Sequence, residues 1–406
     1  MKIPDGYEAV VTDDKINRKE DCLMLTRTIY GTVQAARQFY RNLSNVLSEK
    51  LNMRKCLADQ CLFMRKTEKG IVMLAIYIDD TLCIGSKAAI DEFKTDMKKH
   101  FCTKEEGVME EYVGCEVKRT GKHKLFMCQS NLINKLERIF GDKVKGLTFR
   151  ETPAGPGFTV TRCLIPDQLV SLDEQRSYRS GVGILLYLVK FSRPDISNAV
   201  RELSKASDGA DNSSFKCLLR TIKYVLDTRN LYLKYEVNPK LMDKNWSIKT
   251  FCDSDFAGDK STRVSVTGYC VYVLDCLVAW KSRSQKHVTL SSTEAEYVAV
   301  SDVCTEIMFI RMILEFLGVR VRMPIIVHCD NIGAIFLSYN AKISQRTKHI
   351  DTKYRYVGEY VEQGVVKIIF VRSEENVADI LTKNVSLETF KKHTVRFLDK
   401  VAEIKS

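Results

Sequence analysis

Between positions 290 and 317 the apolar residues Ala295, Ala299, Val303, Ile307, Ile310, Leu314 and Leu317 recur every three or four positions. That is the period of a helix burying one face, and it fixes how the C-terminal part of the chain is read. From Trp246 onward the pattern runs strand, strand, strand, helix, strand, helix, helix, strand, helix. Strands are predicted over 247–252, 267–274, 277–281, 325–329 and 365–371, and helices over 293–317, 331–339, 348–363 and 375–383. Three antiparallel strands followed by α/β crossovers give a mixed five-stranded sheet with flanking helices. Ser291 with Glu294, or Thr293 with Glu296, has the spacing of a capping box, so Glu294 has a plain reading as a helix cap.

Three further carboxylates change that reading. Asp253 and Asp330 close apolar runs, and Asp379 lies in a short helix near the C-terminus. Four acids at strand ends and helix starts cannot stay ionised side by side without cations. Two Mg²⁺ ions about 4 Å apart would neutralise them, activate a water and act on a phosphodiester. Glu294 could then bridge a metal and a ribose 2′-hydroxyl.

The rest of the 406 residues bounds the setting. A net charge of +12 favours an anionic partner, nucleic acid above all. Fourteen cysteines without a Cys-x-x-Cys pair or zinc spacing read as thiols in a reducing compartment rather than a disulfide scaffold. With no signal peptide or membrane span visible, the expectation is a soluble intracellular protein, cytoplasmic or nuclear. The run Ile71 to Ile84 is the most apolar in the chain, yet Asp79 and Asp80 interrupt it. Buried acids are costly, so a hairpin with the pair at its tip is expected, serving either as a plain turn or as a metal site. A loop over 151–160 sets a boundary, and the region after it reads as all-helical. Its helix over 215–228 carries Lys216, Arg220 and Lys223 on a solvated face that could touch a nucleic-acid backbone.

The motifs, in order, resemble the C-terminal part of the Pol polyprotein of copia-type LTR retrotransposons. Tyr77-Ile78-Asp79-Asp80 is similar to the polymerase Tyr-x-Asp-Asp box, and the segment from Tyr30 through Gly31 and Gln34 to Tyr40 resembles the family's substrate-site helix. Tyr178-Arg179-Ser180 and Ser192-Arg193-Pro194-Asp195 resemble the connecting region. Cys252-Asp253-Ser254-Asp255, Thr267-Gly268-Tyr269, Ser291-Ser292-Thr293-Glu294-Ala295-Glu296-Tyr297, Asp330-Asn331, Lys348-His349-Ile350-Asp351 and Ala378-Asp379-Ile380-Leu381-Thr382-Lys383 follow as in its ribonuclease H part.

The resemblance implies a multidomain α/β and α+β chain: a truncated reverse-transcriptase palm over 1–150, a thumb- or connection-like helical region over 151–245, a ribonuclease H domain over 246–390 and a tail over 391–406. It implies Asp253, Glu294, Asp330 and Asp379 as ligands of two Mg²⁺ ions. It also implies Asp79 and Asp80 as polymerase acids, the first a metal ligand, with Tyr30, Gly31, Gln34 and Tyr77 at the substrate site. Asp255 and Asp259 share a family motif but read as loop residues, and His349 as structural or a phosphate contact. The family's first polymerase aspartate lies upstream of a segment resembling Lys2 to Tyr7. The expectation is therefore ribonuclease H activity on RNA–DNA hybrids with an incomplete polymerase site, which upstream Pol segments could complete, and no membrane partner. Two other readings stand beside it: a relic that binds nucleic acid without turnover, and an inert one.

Overall fold

The computed structural model describes residues 22–25, 28–29, 31–242, 245–340 and 351–401. They fall into two compact units, Met1–Glu105 and Glu106–Ser406.

In the first unit, helix α1 (Val33–Asn45) runs on into a wider turn at Val46–Lys50, followed by strands β1 (Arg54–Lys55), β2 (Leu62–Thr67), β3 (Gly70–Tyr77) and β4 (Asp80–Gly85) and helix α2 (Lys87–Lys98). The four strands form one antiparallel sheet in chain order. Alternation decides which face is covered: Val72, Leu74 and Ile76 of β3 point inward and meet Ala89, Phe93 and Met97, spaced four apart on α2. The Ser86 hydroxyl accepts from Ala89 N and starts α2 as a cap.

The second unit opens with β5 (Glu111–Tyr112), β6 (Cys115–Gly121), β7 (Lys124–Cys128) and α3 (Ser130–Val144). Helices α4 (Leu172–Phe191), α5 (Ser197–Ser204) and α6 (Asn212–Asp227) lead to β8 (Leu231–Glu236). After them come β9 (Asn245–Trp246), β10 (Ile248–Asp255), β11 (Val266–Val273), β12 (Cys276–Ser284), α7 (Ser292–Phe316), β13 (Arg320–Val321), β14 (Ile325–Cys329), α8 (Ile332–Tyr339), α9 (Asp351–Glu362) and β15 (Val366–Phe370). The unit ends with α10 (Asp379–Thr382), α11 (Leu387–Thr394) and β16 (Leu398–Lys400).

The expected mixed sheet is present, in the order β12-β11-β10-β14-β15, antiparallel on one side of β10 and parallel on the other. Every residue of β11 is buried, because both faces of the sheet are covered. On one face, α7 and its neighbours pack Tyr297, Val300, Val303 and Ile307 against Val271, Val327 and Ile368. On the other, Phe251, Cys270 and Tyr272 join a core that continues through α10 and α11 into α3, α4 and α6. The Trp280 indole N–H donates to Val189 O across this seam at 2.8 Å.

That shared core departs from three expected boundaries. Residues 106–150, assigned to the palm, build β5 to α3 and belong to the second unit. The region 151–245 is not all helix, since β8 pairs with β7 and β16. Residues 391–400 are no tail: they finish α11 and form β16, with Phe390, Phe397 and Leu398 buried. Among the described residues no helix is long and apolar enough to cross a membrane.

A side chain that closes this core late in the chain should matter to all of it. Phe397→Ala is expected to cost the second unit about 3–5 kcal/mol. A denaturant melt should show the helical region and the mixed sheet losing stability together, in one transition.

Candidate metal centre

Parallel pairing of β10 with β14 brings the carboxyl ends of both strands to one edge of the sheet, and there Asp253 and Asp330 stand side by side. The helix α10 delivers Asp379 from the face that carries the shared core. Its approach depends on Gly268, which lies opposite Asp253 in the ladder. A Cβ on Gly268 would come within 2.6 Å of the Thr382 methyl and 3.0 Å of the Leu381 Cβ, so only glycine lets α10 sit this close. Carboxylate oxygens of Asp253, Asp330 and Asp379 lie within 4.8 Å of one another. From the opposite face α7 contributes Glu296, which with Cys329 and Asp330 forms a second group of the same span.

Glu294, the expected fourth acid, is not among the residues brought together here, whereas Glu296, two residues on, is. The Glu294 carboxylate accepts from Leu290 N at 2.8 Å, and its own N–H donates to Ser291 Oγ at 3.1 Å. It sits in the first turn of α7 and supports the start of that helix, whose N-cap is Ser291. Two positions on, roughly 200° around the axis, Glu296 faces the sheet, accepting from Ser254 N at 2.8 Å and Ser254 Oγ at 2.9 Å. The phase was available in the sequence: Ala299, Val300 and Val303 follow Glu296 at helical spacing and are all fully buried.

Further side chains hold the acids in place. Thr382 Oγ1 donates to Asp253 Oδ2, Ser373 Oγ donates to Asp330 Oδ2 at 2.7 Å, and Cys329 Sγ lies 3.7 Å from Glu296 Oε2. The buried Asn376 amide donates to Cys252 O at 2.9 Å and ties the α10 approach to the strand. Lys383 Nζ lies 3.2 Å from Asp379 Oδ1 and 3.9 Å from Asp253 Oδ2. None of Ser373, Asn376, Thr382 or Lys383 was singled out by sequence; Thr382 and Lys383 lay inside a quoted motif with no role attached.

Crowding shows in the protonation equilibria. Burial, then the neighbouring Asp253, pushes Glu296 up to about 10. The same two causes push Asp379 up to about 7, against the pull of Lys383. Burial raises Asp253 as well, opposed by Lys383 and Thr382. The buried Asp379 Oδ1 has the Lys383 ammonium beside it at 3.2 Å. An all-oxygen set of crowded, buried carboxylates of this kind suits a hard divalent cation.

The other expected site residues lie elsewhere. Asp255 closes β10, and burial raises its carboxyl. Asp259 pairs with Lys205 at 2.8 Å and accepts from the N–H groups of Ser261 and Thr262. Those contacts outweigh burial and hold its carboxyl well below the usual range. In the first unit Asp79 and Asp80 are at the tip of the β3–β4 hairpin, as expected, and both are exposed. Ile78 takes φ +53° there, a costly conformation for a β-branched residue. Among the described residues no third ligand joins that pair. Gly31 and Gln34 are exposed at the start of α1 and Tyr77 is exposed near the tip, while Tyr30 and His349 lie outside the described residues.

The raised carboxyls set a sign for stability. The native state binds more protons than the unfolded chain between the ordinary value of 4.5 and about 10 for Glu296, and from 3.8 to about 7 for Asp379. Stability of the metal-free protein therefore falls as pH rises through that window. Melting temperature should drop between roughly pH 5 and pH 8. Glu296→Gln should flatten the slope and raise the value at the upper end by a few degrees.

Residues 1–145 match a family described as Reverse transcriptase (RNA-dependent DNA polymerase). Over 397 residues, 96% of its length, the chain is 29% identical to the retrovirus-related Pol polyprotein from transposon TNT 1-94 of Nicotiana tabacum. It is 32% identical over 371 residues, 90% of its length, to the corresponding polyprotein from transposon RE1 of Arabidopsis thaliana. It spans about a quarter of these relatives, 28% and 24% respectively. Among solved structures, LC11-RNase H1 isolated from compost aligns with 36% of this chain and 96% of its own, at 15% identity and a TM-score of 0.27. Resemblance at the level of motifs is thus matched along nearly the whole sequence, and the chain belongs to the family of copia-type retrotransposon Pol polyproteins.

Proposed function

We propose that the second unit is a ribonuclease H that cleaves the RNA strand of RNA–DNA hybrids with two Mg²⁺ ions. Asp253, Glu296, Asp330 and Asp379 are the residues that would hold them. The observation that carries this reading is the convergence of these acids, from two parallel strand ends and two helices on opposite faces, at one sheet edge. The ions, when bound, would supply an activated water and charge stabilisation at the scissile phosphate.

The chain's own residues do the positioning. Asp253 is held inside β10 by its pairing with Gly268 of β11, and Asp330 directly follows β14. Thr382 and Ser373 each orient one of their carboxylates. Glu296 is held by Ser254 through Oε1, while Oε2 accepts the weak Cys329 thiol at 3.7 Å and would be the oxygen offered to a cation or a ribose hydroxyl. Asp79 and Asp80, exposed and without a third acid among the described residues, are left out of the hydrolytic reading. Their proposed role is the polymerase one that their box suggests.

The test is cleavage of a labelled RNA–DNA hybrid with Mg²⁺. Wild-type protein should cut the RNA strand and stop when the metal is chelated. Asp253→Asn and Glu296→Gln should each lose about 10³-fold or more, Thr382→Val about 10–100-fold, and Glu294→Gln at most a few-fold. Hybrid binding without cleavage by the wild type would favour the binding-only reading. Loss on Glu294→Gln with Glu296→Gln spared would refute the assignment of the fourth acid.

A further inference from the structure

Lys383 extends the reading above and rests on it. Two of the acids at the sheet edge, Asp253 and Asp379, are nearly sealed, with side chains 3% and 9% exposed. The Lys383 ammonium reaches both, yet its side chain is 43% exposed. It is anchored one residue past α10, four positions from Asp379, and enters from the rim rather than through the core. Among the described residues no other basic side chain forms an ion pair with these two carboxylates. Arg201 and Lys205 spend their charge on Glu202 at 2.7 and 2.8 Å, and Lys205 also on Asp259.

The contrast with the chain's other deep ion pair is instructive. Arg193 and Asp195 are 1% and 0% exposed, joined by a two-pronged contact and backed by Tyr224 and Thr228. That guanidinium cannot leave without leaving a charge stranded in the core. Lys383 makes two single-oxygen contacts, at 3.2 Å to Asp379 and 3.9 Å to Asp253, on a long flexible stem whose side chain is partly open to solvent, so withdrawing it strands nothing except the acids.

We propose that Lys383 is a displaceable counter-cation: its ammonium holds Asp253 and Asp379 together when the centre lacks metal, and it swings to solvent as a divalent ion takes its place. It thereby sets the concentration of Mg²⁺ the centre needs. Lys383 is a positioning residue in this scheme, acting on the carboxylates and not on the substrate.

The experiment compares the full chain as wild type, Lys383→Met and Lys383→Arg, following thermal melting across a Mg²⁺ titration. Methionine keeps the stem and removes the charge, while arginine keeps the charge. Lys383→Met should melt lower than wild type without metal. It should reach its Mg²⁺-induced shift at about tenfold lower concentration, since one competing charge a few ångströms away is gone. Lys383→Arg should lie near wild type in both respects. A Lys383→Met midpoint equal to or above that of wild type, or an unchanged metal-free melt, overturns the proposal while leaving the nuclease reading intact. Absence of any Mg²⁺-dependent shift in the wild type would take down the metal centre and this proposal together.

Discussion

Mutual repulsion among buried carboxylates is the constraint around which the second unit is arranged. Asp253 and Asp379 are almost wholly removed from water, Glu296 is 5% exposed, and Asp330 sits between them. Nothing in protein stability favours such a cluster: each group would be better off neutral or solvated, and the raised proton affinities of Glu296 and Asp379 express that cost. A fold that tolerates it does so through the surroundings. Backbone and hydroxyl donors at Ser254, Thr382 and Ser373 fix the oxygens, and one ammonium offsets part of the charge. A crowded set of carboxylates of this sort is compatible with a divalent cation, whose charge would offset the repulsion.

The architecture serves that edge. The parallel half of the sheet, β10-β14-β15, aligns the carboxyl ends of β10 and β14. A glycine opposite one of them admits a short helix, and a long helix on the other face supplies the fourth acid from its second turn. The helical region before the sheet is part of the same construction. Its core is continuous with the face that carries α10, and Phe251 of the strand bearing Asp253 is part of it. Lys205, bridging Glu202 on α5 to Asp259 beyond the end of β10, adds a polar tie across the same seam.

Much of this was legible in the sequence because it is local. The five strands of the mixed sheet, the long α7 and the hairpin carrying Asp79 and Asp80 all follow from periodicity and turn chemistry over short windows. Three of the four acids sit at strand or helix ends that the pattern marks. For the fourth, Thr293 to Tyr297 offers two glutamates: both fit a capping-box spacing, the family motif points to Glu294, and the structure brings Glu296 to the other acids. Only the phase of burial along α7 separates them. What stayed hidden is non-local. β16 is three residues long and pairs with β8 across more than 160 positions, so neither strand announces its partner. The boundary expected near residue 150 failed for the same reason: a Pro- and Gly-rich loop marks a change of direction, while α3 packs onto helices that follow the loop.

The convergence of the acids on a pair of divalent cations is tested most directly by Mn²⁺ binding followed by electron paramagnetic resonance, which counts ions and detects their coupling without any substrate. Two bound Mn²⁺ ions, magnetically coupled in the wild type and lost on Asp253→Asn but retained on Glu294→Gln, are the predicted result. Stoichiometric binding that survives both Asp253→Asn and Glu296→Gln, or no binding at all, would contradict the account.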